Sequence, residues 1–191
     1  MHAIKTEILG DAIFTVSGVC SPIECERLGR VADDIGYEAA PITIGPQRFM
    51  MAPEIRNNTR VILDDPDRAA ALWRRLAPFV PERQGAWRAV GLNERLRFYR
   101  YAPGQYFEWH RDGAYVRDER ERSRLTVMLY LSDCEAGGTT DFDAREGEFT
   151  VTPRTGTALV FDHHIRHRGA PVERGVKLVL RTDVMFRREA G

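Results

Sequence analysis

Two stretches in the first half of the chain have the polarity pattern of amphipathic helices. Ser21-Pro22-Ile23-Glu24 has the form of a capping box with proline at the first helical position, and the helix it opens is expected to end at Gly36. A second helix is predicted to begin after Asp65 and to end before Pro78. Each has an apolar stripe on one side, which predicts that both helices pack against a sheet.

Short apolar or alternating runs, separated by glycine and proline, make up most of the remaining chain. Two early strands are expected at Ile8–Val16 and Arg60–Leu63. Six more are expected further on: Leu96–Tyr101, Tyr106–His110, Arg124–Leu131, Glu148–Thr152, Thr157–Asp162 and Val176–Phe186. Many short strands with turn residues between them favour a two-sheet barrel or jelly roll. The predicted fold is therefore mainly β with flanking helices.

Two segments are predicted to be loops. Pro41–Asn58 has little periodicity, yet it contains Phe49, Met50 and Met51, which are unusual in a fully solvated loop. It is either a loop pinned to the core or a lid over a functional site. Arg117–Arg124 is dense in charges of both signs, and is interpreted as a solvated loop, with contact to a substrate as the alternative.

The composition is that of a globular domain. Of 191 residues, 43% are hydrophobic and 29% are charged, which is enough for a full core in one domain, residues 1–191. A formal net charge of +0 gives no sign of nucleic-acid binding, and no apolar run approaches the about 20 residues that span a membrane. The three cysteines lack metal spacing and the N-terminus lacks a secretory pattern, so a reducing, cytoplasmic location is expected.

The candidate chemistry centres on His110 and Asp112. On a strand, positions two apart face the same side, so an imidazole nitrogen and a carboxylate oxygen can reach one metal ion. A further imidazole would complete the two-histidine, one-carboxylate set that holds ferrous iron and leaves coordination positions open. Taken alone, the sequence His110-Arg111-Asp112 has another interpretation, in which Asp112 caps a turn at Gly113 and His110 is a core histidine.

Downstream lie further histidines and a lysine. Three of the five histidines are candidates for the third ligand: His163, His164 and His167. Lys177 falls inside the apolar run Val176–Leu180. A lysine at such a position either faces solvent or points inward to pair with a buried anion.

A series of motifs runs in order through the second half of the chain. They are Tyr101-Ala102-Pro103-Gly104, His110-Arg111-Asp112, Gly137-Gly138-Thr139-Thr140-Asp141-Phe142, Pro153-Arg154-Thr155-Gly156, His167-Arg168-Gly169-Ala170-Pro171-Val172 and Gly175-Val176-Lys177. In this order and spacing they resemble the Fe(II)/2-oxoglutarate dioxygenases of the prolyl 4-hydroxylase type, from about Leu96 to Phe186. Each motif alone is weak, whereas the ordered set is specific.

The resemblance implies a double-stranded β-helix, or jelly roll, with the N-terminal helices packed on the outside of one sheet. Residues 96–186 are then the metal-binding jelly-roll core, and residues 1–95 are the helical support and lid region. Proteins of this type have a mobile segment in the place of Pro41–Asn58, so the lid and the pinned loop both remain as interpretations.

The resemblance also implies the metal ligands and the cofactors. His110, Asp112 and His167 are the expected catalytic iron ligands, and His167 is chosen because it lies ten residues before Lys177, the spacing of the family. The implied cofactors are Fe(II), 2-oxoglutarate as cosubstrate and O2, with ascorbate as a reductant.

The distal carboxylate of 2-oxoglutarate is expected to bind Lys177 and a neighbouring hydroxyl. Tyr130 is the best hydroxyl candidate, because the resemblance places its strand face inside the barrel. Tyr101 and Thr140 are expected to line the same pocket. The alternative for the two tyrosines is a barrel-core aromatic whose hydroxyl is satisfied by the backbone.

The implied activity is hydroxylation of an unactivated C–H, with a prolyl residue in a peptide or protein as the leading substrate. A free amino acid or natural-product intermediate is the alternative, and a non-catalytic metal- or 2-oxoglutarate-binding barrel is the rival from another class. Four residues are candidates for contact with this small-molecule or peptidyl substrate: Arg56, Asn58, Trp109 and Arg181. No nucleic-acid or membrane partner is expected.

Overall fold

A computed structural model describes residues 3–45 and 48–189. Two helices, α1 (Pro22–Ile35) and α2 (Pro66–Leu76), accompany the strands. The strands are β1 (Ile4–Leu9), β2 (Ile13–Ser17), β3 (Glu38–Ala39), β4 (Ile42–Gly45), β5 (Arg48–Met50), β6 (Thr59–Asp64), β7 (Arg83–Gln84), β8 (Trp87–Leu92), β9 (Arg95–Tyr101), β10 (Phe107–His110), β11 (Glu121–Tyr130), β12 (Ala136–Gly137), β13 (Thr140–Ala144), β14 (Gly147–Val151), β15 (Ala158–Asp162), β16 (Arg166–Gly169), β17 (Val172–Arg174) and β18 (Lys177–Arg188).

Two antiparallel sheets form the body of the fold. The larger one, the major sheet, has the order β1-β2-β15-β11-β18-β9-β6-β3, and β8 with β7 pairs alongside β18. The smaller one, the minor sheet, has the order β10-β16-β13-β14. This mostly β architecture with few helices confirms the predicted jelly-roll class.

Alternation along the central strands gives the major sheet two different faces. On β11, Leu125, Val127 and Leu129 belong to one apolar cluster, and Met128 and Tyr130 belong to a second cluster on the other face. The first cluster also contains the buried residues of α1 and α2, so the helices cover this outer face. The second cluster contains the apolar residues of the minor sheet, so the inner face lies between the sheets.

The helix ends follow their local sequence signals. The Glu24 amide donates to Ser21 Oγ at 3.3 Å and the Glu24 carboxylate accepts from the Ser21 amide at 2.8 Å, which completes the predicted capping box of α1. The helix ends at Ile35, and Gly36 follows with a φ of 93°, a conformation that favours glycine. Asp65 caps α2 by accepting from the Arg68 amide at 2.8 Å.

Three local expectations from the sequence are wrong. Ile8–Val16 is not one strand but the turn and flanks of the β1–β2 hairpin, which reverses at Gly10 with a φ of 50°. Pro41–Asn58 is not all loop, because β4 and β5 pair antiparallel within it. The charged segment Arg117–Arg124 is also only partly loop: Glu121–Arg124 begin β11, and Glu121 is buried because Arg187 on β18 binds its carboxylate at 2.6 Å.

The expected division of the chain between residues 95 and 96 is not a division of the sheet. Strands that precede and strands that follow this point in the sequence, including β6 and β9, pair in the major sheet. That residues 1–191 form one domain stays a prediction. In the described ranges, neither helix has the length and apolar character needed to cross a lipid bilayer.

Candidate metal centre

Two paired strands and the turn after one of them bring His110, Asp112 and His167 together. His110 ends β10 and lies directly opposite His167 of β16, and Asp112 follows two residues after His110. One ligand atom from each side chain lies within 4.8 Å of the others. Asp112 Oδ1 is 3.8 Å from His110 Nε2, and Asp112 Oδ2 is 3.6 Å from His167 Nε2.

Backbone carbonyls orient both imidazoles in the same way. His110 Nδ1 is 2.7 Å from the carbonyl oxygen of Glu108, and His167 Nδ1 is 3.0 Å from that of Ile165. A carbonyl can only accept, so these contacts assign the Nδ1 proton and leave each Nε2 lone pair free. Both Nε2 atoms point toward the Asp112 carboxylate.

Burial and nearby charge set the protonation of the three groups for metal binding. Burial and the neighbouring His167 lower the pKa of His110 to about 3, and burial lowers the pKa of His167. Burial alone would raise the pKa of Asp112, but the Arg181 guanidinium and the hydrogen bond from Thr126 oppose it, and that pKa lies below its usual range. Two neutral imidazoles and a carboxylate are a suitable donor set for a divalent transition metal.

His163 supports Asp112 and does not join the triad. The Thr126 hydroxyl donates to Asp112 Oδ2 at 2.6 Å and lies 2.9 Å from His163 Nδ1. Ser123 Oγ lies 2.8 Å from His163 Nε2, so this buried histidine connects two strand hydroxyls behind the carboxylate. His164 is exposed and bonds through its backbone. Of the three candidates for the third ligand, the structure therefore brings only His167 to the other two donors.

Arg181 is the second support of the carboxylate. Its Nη2 lies 3.1 Å from Asp112 Oδ1 and 3.3 Å from Asp183 Oδ1. Arg181 and Asp183 lie two residues apart on β18 and so share a face, whereas the contact with Asp112 joins residues distant in sequence. Together with Thr126, Arg181 fixes both oxygens of Asp112.

Lys177 lies in the same cavity as the triad, with no ion-pair partner among the described residues. Its side chain is buried and its Nζ lies 3.5 Å from the Thr139 carbonyl oxygen, between the rings of Tyr101 and Tyr130. Burial lowers its pKa to about 8 against the opposing effects of Cys134 and Asp141. A buried cation of this kind is suited to bind an anion that enters the cavity.

Of the three residues expected to line the pocket with Lys177, Tyr101 and Thr140 line the cavity, and the Tyr130 ring centre lies 5.7 Å from Lys177 Nζ. Tyr130 is fully buried and its hydroxyl bonds Thr140 Oγ1 at 2.8 Å. Burial raises the pKa of Tyr101 to about 12, so this phenol stays protonated. The whole lining is Tyr99, Tyr101, Phe107, His110, Asp112, Met128, Thr140, His167, Gly169, Lys177 and Arg181.

The four candidate substrate residues have different positions. Arg181 lines the cavity. Arg56 is buried between the rings of Tyr99 and Phe107, and Asn58 accepts from Arg56 Nε at 2.7 Å. Trp109 lies outside the cavity lining, because it directly precedes His110 and points to the opposite face of β10. The Arg166 and Arg168 guanidiniums lie 5.0 and 4.9 Å from its ring centre.

Sequence reasoning missed Tyr99 and Phe107 in the cavity wall. Tyr99 has the strand parity of Tyr101, a signal that the sequence already contained. Phe107 stacks on His110 with ring centroids 3.6 Å apart, three residues before it. The register of β10 shifts between these two residues, so simple alternation could not place them on one side.

The fold and the site define a jelly roll with a facial two-histidine, one-carboxylate donor set and a buried lysine in the same cavity. Residues 96–182 match the family described as the 2OG-Fe(II) oxygenase superfamily. The resemblance to the Fe(II)/2-oxoglutarate dioxygenases is thereby confirmed for this part of the chain.

Individual relatives agree with this family. A PKHD-type hydroxylase of Sphingopyxis alaskensis is 31% identical over 89 residues, which are 44% of this chain and 41% of that protein's length. The structure of a viral collagen prolyl hydroxylase from Paramecium Bursaria Chlorella virus-1 aligns with a TM-score of 0.66 at 20% identity, over 94% of this chain and 98% of that chain. A Trichoplax adhaerens prolyl hydroxylase, solved with a hypoxia-inducible-factor peptide, aligns with a TM-score of 0.68 at 15% identity, over 92% and 84%. At these identities the two structures show a common fold.

Proposed function

We propose that the protein is an Fe(II)- and 2-oxoglutarate-dependent dioxygenase that hydroxylates an unactivated C–H. The observation that carries the proposal is one cavity that contains both the triad of His110, Asp112 and His167 and the buried, unpaired Lys177. 2-Oxoglutarate needs a metal ion to bind and a cation that pairs with its distal carboxylate, and this cavity has residues for both.

The triad residues would hold iron(II) from one side. The Glu108 and Ile165 carbonyls keep Nε2 of the two histidines directed at the ion, and Thr126 and Arg181 keep the Asp112 carboxylate in place. When bound, iron(II) with 2-oxoglutarate and O2 supplies the oxidising power for C–H hydroxylation, with succinate and CO2 as coproducts.

Lys177, with the hydroxyls of Tyr130 and Thr140 beside it, would hold the distal carboxylate of 2-oxoglutarate. The lysine has only a long contact to a carbonyl oxygen, so its ammonium has donors to spare. The Tyr101 ring forms one wall of this end and, with Tyr130, excludes water from the ion pair.

A prolyl residue in a peptide or protein is the leading substrate, supported by the two structural neighbours, which are both prolyl hydroxylases. The alternative is a free amino acid or natural-product intermediate. Ascorbate as a reductant and a cytoplasmic location remain part of the proposal. A non-catalytic barrel that binds metal or 2-oxoglutarate would use the same triad and lysine, so turnover is what distinguishes it from the enzyme.

The test is succinate formation by the purified chain, measured with and without Fe(II) and 2-oxoglutarate. We expect succinate only when both are present, and a +16 mass shift in a turned-over substrate from a screen of prolyl peptides and free amino acids. Binding of 2-oxoglutarate without any turnover, across the whole screen, would favour the non-catalytic barrel. Succinate formation that does not require iron would contradict the proposal.

A further inference from the structure

Four arginines lie in or next to the wall of the metal cavity, and Arg181 is the member that lines it. Strand register places Arg60, Arg97 and Arg181 on the inner face of the major sheet, since Arg60 lies opposite Tyr99 and Arg97 opposite Arg181. Arg56 lies just before β6 and its side chain reaches the same region. These four residues, Arg56, Arg60, Arg97 and Arg181, are called the arginine cluster.

Arg56 is the most deeply buried member and has an unused donor. It is 6% exposed, and its guanidinium lies 4.5 Å from the ring centres of both Tyr99 and Phe107, which line the cavity from the two sheets. Its Nε donates to Asn58, but its buried Nη2 has no hydrogen-bond partner among the described residues. It also has no carboxylate within 4.0 Å in the described ranges. A buried arginine of this kind is rare without an anion.

The cluster has more positive charge than its neighbours can balance. Asp183 is the buried carboxylate shared by Arg97, at 3.4 Å, and Arg181, at 3.3 Å. Glu38, the carboxylate near Arg60, is 72% exposed at its side chain and 3.9 Å away. Asp112 is committed to the metal site. At least one guanidinium therefore lacks a buried counter-charge, and Arg56 is the one with no carboxylate at all.

The phenol of Tyr99 responds to this positive field. Burial would raise its pKa, yet Arg56, Arg181 and Arg97 together lower it to about 8. Arg56 and Arg181 also act on the neighbouring Tyr101, but there burial outweighs them and raises the pKa to about 12. The positive charge of the arginine cluster is therefore felt most strongly at Tyr99, the ring against which Arg56 lies.

We infer that the primary substrate carries a carboxylate that binds Arg56 and the adjoining arginine cluster while its reacting carbon faces the metal. The inference rests on the proposed function and narrows its substrate class. The carboxylate belongs either to a free acid or to an acidic side chain next to the reacting residue of a peptide. An Arg56–carboxylate pair would use the free Nη2 donor and supply the missing negative charge.

The first experiment uses the native protein, loaded anaerobically with Fe(II) and saturating 2-oxoglutarate. Matched acid and amide probes are titrated while the metal-to-cosubstrate absorption band is followed: L-proline and L-prolinamide, the other protein amino acids and their carboxamides, and capped prolyl peptides with aspartate or asparagine beside the proline. We expect an acid to bind at least tenfold more tightly than its neutral partner. The pair with the tightest acid member identifies the source of the carboxylate.

The second experiment repeats the titration with Arg56→Met and with Arg56→Gln, which can still bond Asn58. Arg122→Met is the matched control, because Arg122 also has a buried guanidinium nitrogen without a partner and lies over a ring, that of Trp87 at 4.9 Å. Trp87 does not line the metal cavity, whereas the two rings against which Arg56 lies do. We expect the Arg56 variants to lose the preference for the acid and to keep the native affinity for 2-oxoglutarate. The control should keep both.

The two proposals fail in different ways. Equal binding of acid and amide by the native protein, or no binding of any acid probe, overturns the carboxylate inference, while succinate formation that requires Fe(II) and 2-oxoglutarate still upholds the proposed function. Absence of that succinate formation, or of the absorption band, in the native protein instead overturns the proposed function. If the Arg56 variants do not fold, the acid–amide comparison on the native protein still decides.

Discussion

The two faces of the major sheet are formed by the same strands and bury different kinds of side chain. On β18, Leu180 and Val184 point outward into the apolar cluster under the helices, whereas Lys177, Arg181 and Asp183 point inward to the cavity. The outer face is stabilised by burial of apolar area, which has no strict geometry. The inner polar groups are costly to bury and need specific partners.

This contrast predicts which substitutions affect which property. On the outer face, a truncation should lower the stability of the protein and leave the affinity of the folded molecule for its ligands unchanged. On the inner face, a truncation should remove a ligand or a cosubstrate contact while the fold persists. The predictions below test that separation, beginning with the largest effect.

Asp112→Ala should abolish 2-oxoglutarate turnover. The variant lacks one of three protein ligands, and Arg181 and Thr126 lose the oxygens that they hold. Iron affinity should fall by more than about a hundredfold, the upper range for loss of a mere supporting contact. Succinate formation and iron binding are the measurements. Asp143→Ala is the control, since Asp143 pairs with Arg166 at an exposed site. Full turnover of Asp112→Ala at ordinary iron concentration would falsify the triad.

Alanine variants of His163, His164 and His167 should differ in iron binding and turnover. His167→Ala should lose iron binding and turnover, and the exposed His164→Ala should behave like the native protein. His163→Ala should lie between them, with a loss of about 10–100-fold, because His163 acts on Asp112 only through Thr126. An inactive His164→Ala beside an active His167→Ala would contradict the assignment.

Lys177→Ala should weaken 2-oxoglutarate binding and leave iron binding nearly unchanged. A distal carboxylate without its buried partner should lose about 3–5 kcal/mol of binding free energy. This corresponds to roughly two to four decades in Kd. Lys177→Arg should retain part of the affinity, because a guanidinium still binds a carboxylate but needs more room. The measurement is an anaerobic titration of the metal-to-cosubstrate band, and an unchanged midpoint for Lys177→Ala would mean that another group binds the distal carboxylate.

The sequence predicted the outer face better than the inner face. Regular alternation in β9, β11 and β18 and the capping signals of both helices are local, and the structure agrees with them. Strands rich in charge, such as β16 with Arg166 and Arg168, were missed because their charges pair across strands, with Asp143 and Asp141. Such pairing depends on register, which local polarity does not encode.

The site residues that belong to sequence motifs were predicted. Spacing and resemblance selected His110, Asp112, His167 and Lys177, and the structure brings these four into one cavity. Contacts between residues that are distant in the sequence were not predictable. The position of Arg56 between Tyr99 and Phe107 depends on a segment that precedes β6 and on a register shift in β10.

Leu180→Ala tests the outer face. Leu180 is fully buried in the cluster beneath the helices, so its truncation should leave a cavity and lower the free energy of unfolding by about 2–5 kcal/mol. Measured below the new melting temperature, the Kd for 2-oxoglutarate should stay within about twofold, since additivity holds for sites without shared contacts. Denaturant unfolding provides the stability, and the band titration provides the Kd. A large change in Kd with little loss of stability would show that the two faces are coupled.

The last prediction is a pH dependence of about tenfold in 2-oxoglutarate affinity per pH unit. In the free folded protein burial lowers the Lys177 pKa to about 8 from an ordinary value of 10.5. A distal carboxylate binds the charged lysine, so above about pH 8 binding must take up a proton, and Kd should rise as pH increases from about 8 to 10.5. Over the same window the unfolded chain binds more protons at this group than the free folded protein does, so its contribution to stability should increase with pH. As pH rises, the titration of Lys177 should therefore weaken 2-oxoglutarate binding and stabilise the free protein.

Lys177→Met should show neither trend, and subtracting its pH profile from that of the native protein removes the contribution of the other titrating groups. A native profile parallel to that of the variant would mean that Lys177 keeps its proton throughout the window or does not contact the cosubstrate.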